Sequence, residues 1–284
     1  MATHVALHLL KVGSCRHCER ITLRGGGVAP VSFPALSALI MHPLIGPILF
    51  DTGYASHFLR ATVPFPERLY RWTTPLHLPA HQTLAAQLRR FGLTPSDILT
   101  CVISHFHADH IAGLCDLPHA RFIASAAGYA QITNAGRFQG LIHGLLPRML
   151  PDDFGNRVVF AESAPKVRLQ APWNAFGEGF DLLGDRSLVG VTLPGHSAGQ
   201  IGVLLRDEAG RDVFLCADAC WSHKAFRELR MPSFLARPLM HSWFDYCQTI
   251  ESIHALAERH PELAILPSHC NESLSTYQQA WEDQ

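Results

Sequence analysis

The sequence predicts an α/β fold in which buried strands alternate with helices. Two observations support this prediction. Short continuous apolar runs, typical of buried strands, recur along the chain, and four of them end close to a histidine or an aspartate. The composition agrees, because 48% apolar and 17% charged residues are typical of globular proteins. No linker rich in glycine, serine or charge divides the chain, so we expect one domain over residues 1–284.

The first predicted elements are a hairpin-like pair of strands. Residues 36–41 and 48–50 are mostly apolar and flank a turn at residues 43–47. The second of these strands ends in Asp51-Thr52-Gly53, which predicts a tight turn.

Helical patterns come next. Residues 82–91 have helical spacing and are followed by Gly92, a common helix stop. Thr94-Pro95-Ser96-Asp97 then predicts a short helix with proline in its first turn. The apolar run 99–104 predicts a buried strand, and it leads directly into His105-Phe106-His107-Ala108-Asp109-His110.

In the second half of the chain, three apolar strand runs are each followed by a polar residue of a type that can bind metal. We expect these polar residues to lie together at one edge of the fold. Ser242 predicts the start of a covering helix that runs to about His260. The strand runs and their polar residues are 188–193 before His196, 213–216 before Asp218, and 263–266 before His269.

Two segments, residues 54–81 and 137–180, depart from this alternation and predict irregular structure. Long irregular segments often form lids over functional sites, although plain surface loops explain them equally well. Their apolar side chains would wall a pocket for an acyl chain, with Phe65, Tyr70 and Leu146 as candidate contacts. Packing of these residues against the domain or against a second subunit of a homodimer is the alternative.

The histidine cluster carries the chemistry. His105 and His107 lie two residues apart in an extended turn and project the same way, whereas Asp109 and His110 enter the following helix. This spacing predicts two adjacent metal positions. Imidazole nitrogens and carboxylate oxygens suit zinc, although ligand type alone also admits iron or manganese.

Charge and hydropathy exclude other classes. The formal net charge is −1 and the lysines are scattered, so nucleic acid is not an expected partner. No apolar stretch is long enough for a membrane span and no export signal is evident, so a cytoplasmic location is expected. Cys15 and Cys18 form the only close cysteine pair, for which a packed loop beside the active site is favoured over a metal or redox role.

Taken in order, the motifs of this chain resemble those of the metallo-β-lactamase superfamily, over nearly its whole length. The residues that carry the resemblance are Asp51-Thr52-Gly53, the string 105–110, Pro194-Gly195-His196-Ser197, Asp218 and His269. The resemblance implies a four-layer αββα sandwich with the metals at the edge where strands end. It also implies a ligand set: His105, His107 and His196 for one zinc, Asp109, His110 and His269 for the second, Asp218 bridging both, and Asp51 in a structural or ligand-orienting role.

The resemblance further implies a dinuclear zinc hydrolase in which a bridging hydroxide attacks an ester-like acyl carbon. Asp109 would orient that hydroxide and pass its proton to the leaving group. Within the superfamily the chain is most similar to the quorum-quenching acyl-homoserine lactonases, through residues 194–200 and Asp218. Those enzymes carry a tyrosine where Trp221 stands, and an indole cannot replace its hydroxyl as a proton donor. Trp221 is therefore a candidate substrate contact or an aromatic wall of the pocket.

Two alternatives remain open. A thioester hydrolase of the glyoxalase II type uses the same metal set, but residues 262–284 lack the lysine and arginine expected for binding glutathione. A binding or regulatory protein that holds its metals with little turnover is the other alternative. The favoured substrate is a lipophilic lactone or ester.

Overall fold

The structure is a computed structural model that describes residues 3–282. Within this range, strands form two sheets of seven and six strands. The first sheet contains β1 (Ala6–Cys18), β2 (Pro30–His42), β3 (Gly46–Phe50), β4 (Leu76–His77), β5 (Thr100–Val102), β6 (Arg121–Ala124) and β7 (Val158–Phe160), in the order β4-β1-β2-β3-β5-β6-β7. The second contains β8 (Lys166–Arg168), β9 (Glu178–Asp181), β10 (Leu188–Thr192), β11 (Ile201–Arg206), β12 (Asp212–Ala217) and β13 (Ala264–Pro267), in the order β13-β12-β11-β10-β9-β8.

Most helices are short. The α-helices are α1 (Glu19–Thr22), α2 (Ser56–Ala61), α3 (Arg68–Thr73), α4 (Leu84–Arg89), α5 (Ala108–Ile111), α6 (Ala126–Asn134), α7 (Arg137–Ile142), α8 (Phe154–Arg157), α9 (His223–Arg227), α10 (Trp243–Arg259) and α11 (Asn271–Glu282). The 3-10 turns are Ala80–Gln82, Pro95–Asp97, Leu114–Asp116, Pro147–Met149, Ala161–Ser163, Trp173–Phe176 and Phe234–Leu239. Across the described part of the chain, no helix combines the length and the apolarity needed to cross a membrane.

Alternation of side chains along the strands produces four layers. In β12, Val213 and Leu215 join the apolar cluster between the two sheets. Phe214, which points the other way, belongs to a separate cluster with Ile250 and Ile253 of α10. The outer face of the first sheet is covered in the same manner by α2 and α4. The expected αββα sandwich is confirmed.

The predicted strands are confirmed in place. Strands β2 and β3 pair antiparallel, with Leu39 opposite Leu49. Strand β5 lies parallel between β3 and β6, in the interior of its sheet. Burial on both faces explains why Cys101, Val102 and Ile103 are apolar without a break, whereas Leu99, at the start of the predicted run, is 56% exposed. Strands β10, β12 and β13 occupy the three further runs that the sequence predicted.

The helix predicted over residues 82–91 is shorter than expected. Helix α4 begins after Thr83, whose hydroxyl accepts a hydrogen bond from the Ala86 amide, and the chain turns at Gly92 with φ +72°. The turn predicted at residues 94–97 is present, with the Asp97 carboxylate accepting a hydrogen bond from the Thr94 amide at 2.7 Å.

The prediction of irregular structure for residues 54–81 and 137–180 is wrong. The first segment contains α2 and α3, and the second contains α7 and α8 and supplies strands to both sheets. These elements are too short to show a periodic pattern, and packing on the core stabilises them instead. Cys15 and Cys18 likewise lie in β1 rather than in a loop.

Helix α10 covers the second sheet as predicted, with the Ser242 hydroxyl accepting from the Asp245 amide at 3.3 Å. It also fixes the loop after β10. A Cβ at Gly195, whose φ is +125°, would lie 2.2 Å from the backbone nitrogen of Tyr246. Only glycine permits this close approach, which holds the neighbouring His196 against the centre of the site.

Candidate metal centre

The ends of four strands bring the predicted ligands together. The segment after β5 carries four of them, and one follows each of β10, β12 and β13. Within each of three overlapping groups, the candidate ligand atoms lie within 4.8 Å of one another. The groups are His105, His107 and His196; Asp109, His110 and His269; and His105, His110 and Asp218.

Asp218 lies between the two outer groups. One carboxylate oxygen, Oδ2, is 3.3 Å from His196 Nε2 and 3.1 Å from His269 Nε2, and the other, Oδ1, is 3.3 Å from His110 Nε2. Asp109 Oδ2 is 3.4 Å from His269 Nε2. This arrangement can supply one carboxylate to two neighbouring cations.

Several buried atoms that point into the cluster make no hydrogen bond of acceptable geometry among the described residues, although two of them, His110 Nε2 and Asp218 Oδ1, lie 3.3 Å apart. They are His105 Nε2, His110 Nε2 and Asp218 Oδ1. An unpartnered buried polar atom costs about 1–3 kcal/mol, so such atoms are rarely left together without a ligand. The donor set of imidazole and carboxylate groups fits divalent metal ions, zinc in particular.

Asp51 fixes the orientation of one histidine in this cluster. Its carboxylate accepts hydrogen bonds from the Ser104 amide at 2.8 Å and the Ser104 hydroxyl at 2.7 Å, and it lies 2.8 Å from His110 Nδ1. The contact to Nδ1 leaves His110 Nε2 directed at the metal ligands. A carboxylate behind a ligating histidine fixes the ring and raises its basicity.

Other ligands are held by groups that the sequence did not indicate. The backbone oxygen of Pro34 lies 2.7 Å from His269 Nδ1, and the sulfur of Met240 lies 3.4 Å from His196 Nδ1. Neither partner has a local sequence signal, because both contacts join distant parts of the chain. The Ser104 hydroxyl, 2.9 Å from His105 Nδ1, precedes the histidine string directly.

Burial and the neighbouring imidazoles hold the pKa values of His105 and His107 well below the ordinary value. These rings are therefore neutral at neutral pH, as metal ligation requires. Although burial opposes ionisation, His269 and His110 hold the pKa of Asp218 well below its usual range. For His269, burial lowers the pKa but the carboxylates of Asp218 and Asp109 raise it to about 9.

Trp221 contacts the centre in a way that the sequence did not predict. Its indole Nε1–H donates a hydrogen bond of 2.8 Å to Asp218 Oδ2, and its ring meets that of His196 edge-on at 5.5 Å. The indole is buried and also lines the cavity above the centre. Its donor is thus already bound to a candidate metal ligand.

A mostly apolar cavity of about 590 Å³ opens onto the cluster. Of the predicted substrate contacts, Trp221 and Tyr70 line it. Phe65 and Leu146 do not, which corrects the expectation for both. Phe65 is 63% exposed and faces Phe138 on the outer surface, whereas Leu146 packs in the core beneath the first sheet.

The two segments that flank the cavity are joined to each other. Arg137 donates to both carboxylate oxygens of Glu67, at 2.8 Å and 2.6 Å. Leu69 from the first segment and Leu141 and Ile142 from the second contribute apolar walls. Cys15 and Tyr54 complete the inner end, and Tyr54 was not singled out in the sequence.

Comparison with known proteins gives consistent results. A family model described as the metallo-beta-lactamase superfamily matches residues 46–219. The N-acyl homoserine lactonase AttM of Agrobacterium fabrum is 23% identical over 282 residues, which cover 98% of each chain. Among solved structures, an N-acyl homoserine lactone hydrolase with N-hexanoyl-L-homoserine at its catalytic metal centre has a TM-score of 0.70 at 16% identity, over 97% of both chains. AidC, a dizinc quorum-quenching lactonase, has a TM-score of 0.62 at 14% identity, over 96% of this chain and 90% of that chain.

Proposed function

The chain belongs to the metallo-β-lactamase superfamily and is a metal-dependent hydrolase, and we propose that it uses two divalent ions, with zinc preferred, to open the ring of lipophilic lactones. The observation that carries this proposal is the pair of ligand groups joined through Asp218, with unpartnered buried atoms directed between them. A small-molecule ester with an acyl chain is the substrate class that fits the apolar cavity above.

Two ligand groups support two ions rather than one. His105, His107 and His196 would hold the first ion, and Asp109, His110 and His269 the second, with Asp218 shared. When bound, such a pair of ions supplies Lewis acidity and lowers the pKa of a coordinated water. The name of the structural neighbour AidC, a dizinc lactonase, is in line with this stoichiometry.

Asp109 is the candidate catalytic residue. Its side chain is 14% exposed, more than the other carboxylate of the cluster, and it lines the cavity. Its oxygens lie 3.9 Å from His110 Nε2 and 3.4 Å from His269 Nε2, so it sits at the boundary between ligands and substrate. A carboxylate in this position can accept a proton from the nucleophilic water and return it to the leaving oxygen.

Tyr70 is the candidate donor to the substrate. A Cβ built on Gly144 would lie 3.3 Å from the Tyr70 hydroxyl and 3.4 Å from His107 Cδ2. The Tyr70 hydroxyl and the His107 ring therefore lie close to the same point in space. Burial raises the pKa of Tyr70 well above its ordinary value, which keeps the phenol protonated. Because the Trp221 indole is bound to Asp218, the Tyr70 hydroxyl is better placed to hydrogen-bond an acyl oxygen.

The test combines metal content with turnover. We expect about two metal ions per chain by plasma mass spectrometry and hydrolysis of N-acyl homoserine lactones that Asp109→Asn abolishes. A panel of thioesters and phosphodiesters, run with the same two proteins, distinguishes the glyoxalase-like alternative. Stoichiometric metal with no turnover on any substrate would instead indicate a binding or regulatory protein.

A further inference from the structure

Beside the main centre lies a second cluster of metal-ligand side chains. His223 begins α9, Cys270 directly precedes α11, and Glu272 is in the first turn of α11. A ring nitrogen, the sulfur and a carboxylate oxygen of these residues lie within 4.8 Å of one another. His223 Nδ1 is 3.6 Å from Glu272 Oε1. From this cluster we propose a third divalent-cation site, with zinc bound by the His223 imidazole, the Cys270 thiolate and the Glu272 carboxylate.

The imidazole is already oriented for ligation. His223 Nε2 lies 2.9 Å from the hydroxyl of Ser273, which is fully buried. This contact occupies Nε2 and leaves Nδ1 on the side of Glu272. Histidines that ligate metals commonly donate their second ring N–H to an oxygen acceptor, which fixes the ring and the tautomer, and the Ser273 hydroxyl oxygen can accept this bond.

The sulfur is placed as an acceptor. The backbone amide of His223 donates a hydrogen bond to Cys270 Sγ at 3.4 Å, and both side chains are buried. An amide donor stabilises negative charge on a thiolate. One imidazole, one thiolate and one carboxylate, with water in a fourth position, form a tetrahedral set that selects zinc or cobalt over calcium or magnesium.

Solvent reaches two of the three proposed ligands. A cavity of about 190 Å³ is lined by Cys270 and Glu272, with Glu19 and Lys224 also in its wall, whereas the buried His223 side chain is not part of this lining. The Glu272 side chain is 60% exposed, so one ligand is free to move onto an incoming ion. An entry path is one of the features that a working metal site needs.

The third site is chemically distinct from the main centre. None of the seven ligands assigned to that centre is a cysteine, so a thiolate signal that depends on Cys270 distinguishes the third site from it. The inference does not rest on the proposed lactonase activity. It would hold if the substrate assignment failed, and it can fail while the main centre binds its ions.

Cobalt substitution tests the site. The protein, freed of metal with a chelator, is titrated with Co²⁺, and we expect a thiolate-to-cobalt charge-transfer band in the near ultraviolet. The band should disappear in Cys270→Ser and persist in Cys15→Ser and Cys247→Ser, which alter a cysteine of the main cavity and one on α10. Total bound metal should fall by about one ion per chain in Cys270→Ser.

Glu272→Gln is a second variant, chosen because the Glu272 side chain is exposed and its replacement should not disturb folding. We expect it to weaken cobalt binding at the sulfur site about tenfold or more while the melting temperature of the metal-free protein is unchanged. No charge-transfer band in the wild type, or a band that survives in Cys270→Ser, would overturn the proposal. A band that is lost in Cys15→Ser instead would assign the sulfur to the main cavity and overturn it as well.

Discussion

Replacing Trp221 by phenylalanine should weaken metal binding without unfolding the protein. The change keeps an aromatic ring against His196 and removes the Nε1–H that donates to Asp218 Oδ2 at 2.8 Å. Both residues are buried, so water does not readily replace the lost donor. A hydrogen bond to a charged buried group is worth about 1.5–3 kcal/mol, which corresponds to a roughly 10- to 100-fold loss of metal affinity.

The assay is competition for zinc between the protein and a chromogenic chelator at pH 7. It should be accompanied by kcat/KM on a long-chain lactone at saturating metal. Because Trp221 orients a ligand, most of the lost activity should return when zinc is raised. Trp173→Phe is the matched control, since that indole packs against Phe214 beneath the second sheet and does not line the main cavity.

Equal chelator competition curves for wild type and Trp221→Phe would refute this reasoning. So would an activity loss that no concentration of zinc repairs, because that result would assign Trp221 to the substrate rather than to Asp218. If Trp221→Phe lowers the melting temperature as much as Trp173→Phe does and leaves metal affinity unchanged, Trp221 contributes only to packing.

Three other substitutions probe the metal centre and its surroundings. Asp51→Asn keeps a residue type that tolerates the φ of +60° at this position but removes the negative charge beside His110. Zinc affinity, measured by chelator competition, should therefore fall about 10- to 100-fold. Unchanged affinity would contradict the role assigned to Asp51. Gly144→Ala places a methyl group 3.3 Å from the Tyr70 hydroxyl, at a position where φ is +68°, so kcat/KM for lactones should fall at full metal occupancy. Gly136→Ala is the control. A Cβ at Gly136 would have no atom within 4 Å, so this variant should match wild type in the same assay. In the metal-free protein, burial lowers and neighbouring carboxylates raise the pKa of His269, to about 9, above its unfolded value of 6.5. Its stabilising contribution is therefore complete below about pH 6.5 and is lost as the pH rises through about 9. Thermal melts of chelated wild type and His269→Gln should accordingly converge at high pH, and a constant difference would rule the effect out.

The sequence alone predicted the ligand types and the strands that carry them. Residues 101–103 are apolar because both faces of the chain are buried there, and the histidine string begins two residues later. These are local patterns. The order of the motifs along the chain also indicated the superfamily and, through that resemblance, predicted the four-layer fold. The structure brings all seven predicted ligands together at one edge.

Only the tertiary structure decided which partners those residues have. The bond from Trp221 to Asp218 depends on side-chain orientation after β12, and Phe65 faces solvent although a neighbouring helix turns Tyr70 toward the cavity. Cys270 meets the backbone of His223 across 47 residues of sequence. Spacing along the chain encodes local conformation, whereas contacts of this kind arise when separate elements pack. For that reason the sequence indicated the metal ligands, while the groups that orient them and the walls of the cavity became evident only in the folded molecule.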